Sequence, residues 1–277
     1  MLPEIESSME ALPTNAVGRA DPRRPTTYKN LHLLAELIRR DFNARFTGSA
    51  LGLAWALLQP LSLVVLYWFV FTFMIPQPVT AGGQSYVFFL ISGLIPWLGI
   101  SEGIVRSTTS IVENAPMVRR LAFRSELLVV VPNATALILE LVGFVLLTVA
   151  LLVEGRSLRD LWLLPFAVVL QFSLQVGLGW MLAAAYVFFR DLTQILTFAL
   201  SIVFYLSPIL YPVGGRFARF FAWNPMTALL GLFRSAVLSS ALPDLGSIVL
   251  LLAVSTAAFA AGLFFFRLAQ PTLADLI

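Results

Sequence analysis

Residues Ile111 to Leu128 read IVENAPMVRRLAFRSELL, and they decide how the rest of the chain is read. Arg119, Arg120 and Arg124 fall within six positions. Glu113 and Glu126 flank them, and Pro116 interrupts the first part. Long apolar runs lie on both sides. A basic, partly amphipathic segment between two such runs predicts a cytoplasmic connection in a membrane protein, because Lys and Arg concentrate on that side of a bilayer.

Composition agrees. The 277 residues are 59% hydrophobic and 12% charged, with a mean hydropathy of +0.88. Soluble domains carry about 25% charged and about 45–50% apolar residues. The expectation is an all-α polytopic membrane protein. Without cysteine there are no disulfides or thiolate metal sites. His32 is the only histidine, so a histidine metal site or a Ser-His-Asp triad has little to draw on. The net charge of +3 is no nucleic-acid signal, since the basic residues sit beside the apolar runs. Lys29 is the only lysine and follows no glycine-rich loop. A P-loop needs Gly-rich backbone around the phosphates and a Lys reaching them. The chain therefore binds no cofactor of its own by this route, and any ATP and Mg that power it sit on a partner subunit.

Outward from the opening stretch, apolar runs of about 20 residues predict six crossings. They fall at about 50–75, 86–104, 127–153, 161–189, 192–211 and 245–266, with 113–125 as the connection between the second and third. Residues 215–242, including Trp223-Asn224-Pro225 and the short apolar run after it, read as an outer segment that dips into the membrane and returns. Residues 1–27 hold four prolines and no apolar period, and read as a flexible cytoplasmic tail. Residues 28–48 read as an amphipathic interface helix ended by Gly48. Leu34, Ile38 and Phe42 face lipid, and Arg39, Arg40 and Arg45 lie among lipid phosphates. An ordinary soluble helix packed on a partner is the alternative. Residues 268–277 form a short tail.

With six crossings both ends share one side. That side carries thirteen of the eighteen Lys and Arg, against Arg156, Arg159, Arg216, Arg219 and Arg234 opposite. Both termini are thus expected in the cytoplasm.

Few residues suggest chemistry. Glu140 lies mid-span, where an ionised carboxylate is expensive. It either serves a proton relay or polar path, or is neutral or hydrogen-bonded to Ser, Thr or Gln on a neighbouring helix. Glu102 and Arg106 are four apart, which a local ion pair explains. Arg190-Asp191 reads as a charged turn. Gln171, Ser173 and Gln175 alternate on the fourth span, as glue between helices or as pore lining. Tyr67, Trp68, Tyr86, Trp97, Tyr205, Tyr211 and Trp223 form an interfacial aromatic belt, or some of them line a path on which the CH faces of sugar rings stack. Glu140 and the first six of these aromatics are the candidate glycan-path residues. Trp55 and Trp180 read as lipid or helix contacts. No constellation supports covalent catalysis.

Four stretches, in order, resemble the membrane subunit of type-2 ABC exporters of O-antigen, capsule and teichoic acid. They are RRDFNARFTGSALGLAWALLQPLSLVVLYWFVF with its Gln59-Pro60, IVENAPMVRRLAFRSELLVV, FFRDLTQILTFALSIVFYLSPILYP, and WNPMTALLGLFRSAVL. The resemblance covers roughly Tyr28 to Arg267. It implies a homodimer in the bacterial inner membrane, two cytoplasmic ABC ATPase subunits, and a channel at the dimer axis for a lipid-linked or growing polysaccharide. It also implies that Asn114–Arg124 forms a coupling helix in a cleft of the ATPase, engaging Asn114, Pro116, Met117, Arg119, Arg120, Phe123 and Arg124. Three other functions stand beside this one. A drug or small-lipid exporter would share the fold. An ion-coupled flippase would use Glu140. A membrane glycosyl or acyl transferase would need acidic or His clusters in surface loops, which the sequence does not offer.

Overall fold

The computed structural model describes residues 26–48, 51–74, 85–118, 124–213 and 218–276. Leu37–Ile277 forms one compact unit, and α1 (Thr26–Phe46) begins ahead of it. In that unit the end of α1 is anchored by buried Leu37 and Phe46, with Phe42 edge-on to Phe46 at 5.4 Å. Gly48 stops the helix at φ +83°, where a side chain would be strained. The expected tail lies outside the described residues except for the first turn of α1.

The described elements that follow are helical. A single 3₁₀ turn, Gly52–Ala54, leads into α2 (Trp55–Phe69), which continues as a π-helical turn, Val70–Met74. Then come α3 (Tyr86–Glu113), α4 (Ala115–Val118), α5 (Glu126–Val153), α6 (Leu163–Phe188), α7 (Leu192–Leu206), α8 (Ala218–Ala222), α9 (Pro225–Leu238) and α10 (Leu245–Leu276). Pro60, Pro96, Pro132 and Pro271 lie inside helices. Hydrophobic surroundings favour keeping the helix, since an open backbone has no water to bond.

Four of these helices, α3, α5, α6 and α10, are long and apolar enough to cross a membrane. The third and fourth expected spans match α5 and α6 within two residues or so. The others differ. The second runs on to Glu113, and the sixth runs on to Leu276, so the expected tail at 268–277 is helical almost throughout. The fifth stops at Leu206, two residues before Pro208, which has no N–H to give the helix. At fifteen residues each, α2 and α7 are about 22 Å long, shorter than the ~30 Å hydrocarbon core.

The centre of the bundle is α3 packed against α5 and α6, with α10 against α6. Glycine sets the closest approach. A methyl group on Gly177 of α6 or on Gly262 of α10 would collide with the backbone of the other helix. The Trp180 indole N–H donates to Glu126 O at 3.1 Å and its ring meets Phe259 edge-on, so this tryptophan is a helix contact. The expected dipping segment is two helices, α8 and α9, joined at Trp223-Asn224. Asn224 caps α9 by accepting from the Met226 N–H at 2.9 Å. α9 is buried over most of its surface among α3, α6 and α10, whereas α7 has no buried residue.

Candidate functional site

A charged cluster joins the last turns of α1 to α3. Arg45 pairs with Glu102, and Arg106 Nη2 bonds Asp41 Oδ1 at 2.7 Å while its Nη1 lies 3.8 Å from Glu102. The local Glu102–Arg106 pair expected from spacing is thus the longest link in a four-member network across two helices. Burial and the neighbouring Arg106 cation lower the Arg45 pKa, with Asp41 opposing. Asp41 Oδ2 is buried and has no hydrogen-bond partner among the described residues. Beside it a cavity of about 130 Å³ lies between Arg40, Asp41, Arg106, Glu113 and Asn114. Arg40 reaches on to the Met117 sulfur at 3.8 Å, so the end of α1 touches α4.

A larger groove of about 640 Å³ runs between α3 and α7. Trp97, Phe204 and Tyr205 supply aromatic surface, Ser101 and Ser201 supply hydroxyls, and Glu102 lies on its wall. Trp97 is buried and tilts against Phe204 at 5.7 Å, while Tyr205 is 65% exposed. An aromatic wall with hydroxyl groups can hold a flexible molecule that has both apolar and polar faces.

Glu140 sits in neither place. It is buried at the α3–α5–α6 crossing, where Gln171 Nε2 donates to Glu140 Oε2. Gln171 also bonds Gln175 at 3.2 Å, and Gln175 Nε2 donates to Gly99 O at 3.0 Å. Gln171 and Gln175 are one turn apart and share a face. Ser173 lies between them in sequence, but its hydroxyl bonds back to Val169 O. Glu140 also lines a narrow cavity of about 70 Å³, with Tyr67 of α2 and Arg45 and Glu102 at its walls.

Residues 32–238 match the family model described as ABC-2 type transporter. The chain belongs to the ABC-2 type transporter family. It is 29% identical over 238 residues to the O-antigen export system permease protein RfbA of Myxococcus xanthus, covering 82% of this chain and 88% of the relative. An RfbA of Klebsiella pneumoniae is 26% identical over 76% of this chain and 82% of its own length. The polysialic acid transport protein KpsM of Escherichia coli is 22% identical over 73% and 80% respectively. With its long apolar helices, this ABC-2 chain is a multi-pass membrane protein.

The expected residues of the ABC-2 chain fall in several places. Arg119, Arg120 and Phe123 lie outside the described residues. Asn114 ends α3 with its Nδ2 on Ser110 O at 2.9 Å, Pro116 and Met117 form α4, and Arg124 is exposed. On α1, Arg39 and Arg40 are exposed, Leu34, Ile38 and Phe42 are half-buried, and Arg45 belongs to the charged network. The aromatics part company. Trp97 and Tyr205 line the groove, Tyr67 lines the narrow cavity, and Trp68 is exposed edge-on to Phe73. Tyr86 and Tyr211 spend their hydroxyls on the backbone, at Leu210 O and Tyr205 O. Asp41 and Arg234 are not among the site residues expected from the sequence. Arg234 is buried on α9. The available signal was an arginine inside the apolar run LLGLFRSAVL.

Proposed function

We propose that this chain is the membrane subunit of an ATP-driven exporter that moves a lipid-linked or growing polysaccharide out of the cytoplasm. The match to O-antigen export permeases over four-fifths of both chains carries this reading. Two copies form the channel. α2 and α7 complete the set of six crossings with α3, α5, α6 and α10, and both termini are cytoplasmic. Large apolar side chains left exposed on the short helices, such as Val65, Trp68, Ile195 and Phe198, support a second copy or lipid covering them. The groove between α3 and α7 is the glycan path, because its aromatic rings can stack on the CH faces of sugars while hydroxyl groups bond the rest.

Two ATPase subunits bind on the cytoplasmic side and hold ATP and Mg. They seat on α4 and the residues after it, and Arg40, Asp41, Arg45, Glu102 and Arg106 pass their motion from α4 and α1 to α3. Contact between Arg40 and Met117 supports that route. Glu140 joins helices, a role supported by its bond to Gln171.

The test uses the full chain reconstituted with a separate ABC ATPase subunit from the same cell. Lipid-linked polysaccharide should stimulate ATP hydrolysis and enter the vesicles. Stimulation by short-chain lipids or drugs alone would transfer the function to a small-molecule exporter, and transport without any ATPase would make it an ion-coupled flippase.

A further inference from the structure

The end of α7 is held by main-chain caps. After Leu206 the chain runs Ser207-Pro208-Ile209-Leu210-Tyr211 without helix. The carbonyls at a helix end lose their helical donors and need others. Here four carbonyls receive side-chain donors. Tyr211 Oη bonds Tyr205 O, and Asn224 Nδ2 bonds Leu206 O at 3.0 Å. Arg234 Nη2 bonds Ile209 O at 3.2 Å, and Tyr86 Oη bonds Leu210 O at 2.5 Å. Three of these donors come from other elements: Tyr86 from α3, Asn224 from the α8–α9 joint, and Arg234 from α9.

Arg234 is the unexpected member. It is buried with no carboxylate within ion-pair distance among the described residues. Its guanidinium lies 3.6 Å over the Phe89 ring and also donates to Phe89 O. A buried cation without an anion is costly, so its bonds to backbone matter. The same backbone has a second arrangement open to it. In a continued helix, the Ile209 and Leu210 N–H groups would bond Tyr205 O and Leu206 O, the carbonyls now capped by Tyr211 and Asn224. Pro208 does not forbid this, since Pro60, Pro96 and Pro132 all lie inside helices of this chain.

We propose that Tyr86, Asn224 and Arg234 are positioning residues that latch residues 205–211 in the broken form at the end of the α3–α7 groove, and that their release lets this segment move and open that end. The groove's last aromatic, Tyr205, is the first residue of the latched segment. The functional meaning rests on the groove being the export path, but the latch can be tested without transport.

The chain has no cysteine, so single cysteines can be read alone. Ser207→Cys places a thiol in the latched segment, at a fully buried position, and Ser255→Cys places one at a buried site on α10 as reference. Each is combined with Tyr86→Phe or with Arg234→Gln in the full chain, in membranes, and labelled with a small membrane-permeant thiol reagent. Ser207→Cys should label slowly alone and about tenfold faster with either change, the opening shift from losing one bond of ~1.4 kcal/mol. Ser255→Cys should stay slow throughout. Unchanged labelling at Ser207→Cys overturns the latch. Equal acceleration at both sites overturns it too, because the residues would then only support the bundle as a whole. Unchanged export in variants whose labelling accelerates would count against the path and leave the latch standing.

Discussion

The two ends of α3 are held in opposite ways. Near Arg106 the helix is tied to α1 by ion pairs between side chains that are a fifth to a third exposed. Near Tyr86, ~30 Å away along the axis, it is tied to α7 and α9 by side chains that reach backbone carbonyls, with Arg234 almost wholly buried. Charged side chains at a wet end can exchange partners cheaply, and salt screens them. A buried cap such as Arg234 on Ile209 O is much less forgiving, since losing that donor strands a buried carbonyl. One end suits a movable connection, and the other suits a break that is either held or released as a unit.

This contrast needs α3 to act as one packed rod. Gly103 lies along it, and a Cβ there would come within 2.5 Å of Gln175 Nε2 and 2.7 Å of Asn133 Oδ1. Gly103→Val should therefore cost ~3 kcal/mol or more. Size-exclusion profiles of the solubilised protein should show little folded material, and a normal profile would mean the ends are not joined through a tight middle. Arg234→Met should cost ~2–4 kcal/mol, because Phe89 O and Ile209 O both lose a donor. The drop in thermal unfolding midpoint should hardly change with salt, and a strong salt dependence would erase the difference between the ends. Glu102→Gln should cost ~1 kcal/mol at low salt after allowance for screening, since it leaves Arg45 and Arg106 without their shared anion. That deficit should shrink as salt is added.

The smallest effect belongs to Asp244, an exposed carboxylate at the start of α10. It accepts from Ser247 Oγ at 2.7 Å and Ser247 N at 2.9 Å, and these bonds hold its pKa below the usual range. A depressed folded pKa means its stabilisation is complete above the unfolded value of about 3.9 and fades as pH falls through the folded one. The gap in unfolding midpoint between the parent and Asp244→Asn should close in acid. A gap that widened would reverse the sign assigned to this cap.

Sequence by itself determined a good deal. The apolar runs gave the helical membrane class, and their length placed α5 and α6 closely. The one lysine follows no glycine-rich loop, which set the expectation that ATP binds on a partner, and four ordered motifs pointed to the family. Pro208 could have marked the early end of α7, because a missing N–H is a local fact. The pairings were a different matter. That Glu102 meets Arg45, that Gln171 and Gln175 converge with Glu140, and that Arg234 reaches Ile209 and Phe89 were decided only in three dimensions. These partners lie from 25 to 145 positions apart. A helix that is apolar nearly all round does not announce which face turns inward. Rotation and depth depend on where neighbouring backbones approach closest, at Gly177 and Gly262, and on where glycine leaves room for a polar side chain of the next helix, at Gly99 for Glu140 and at Gly103 for Gln175 and Asn133.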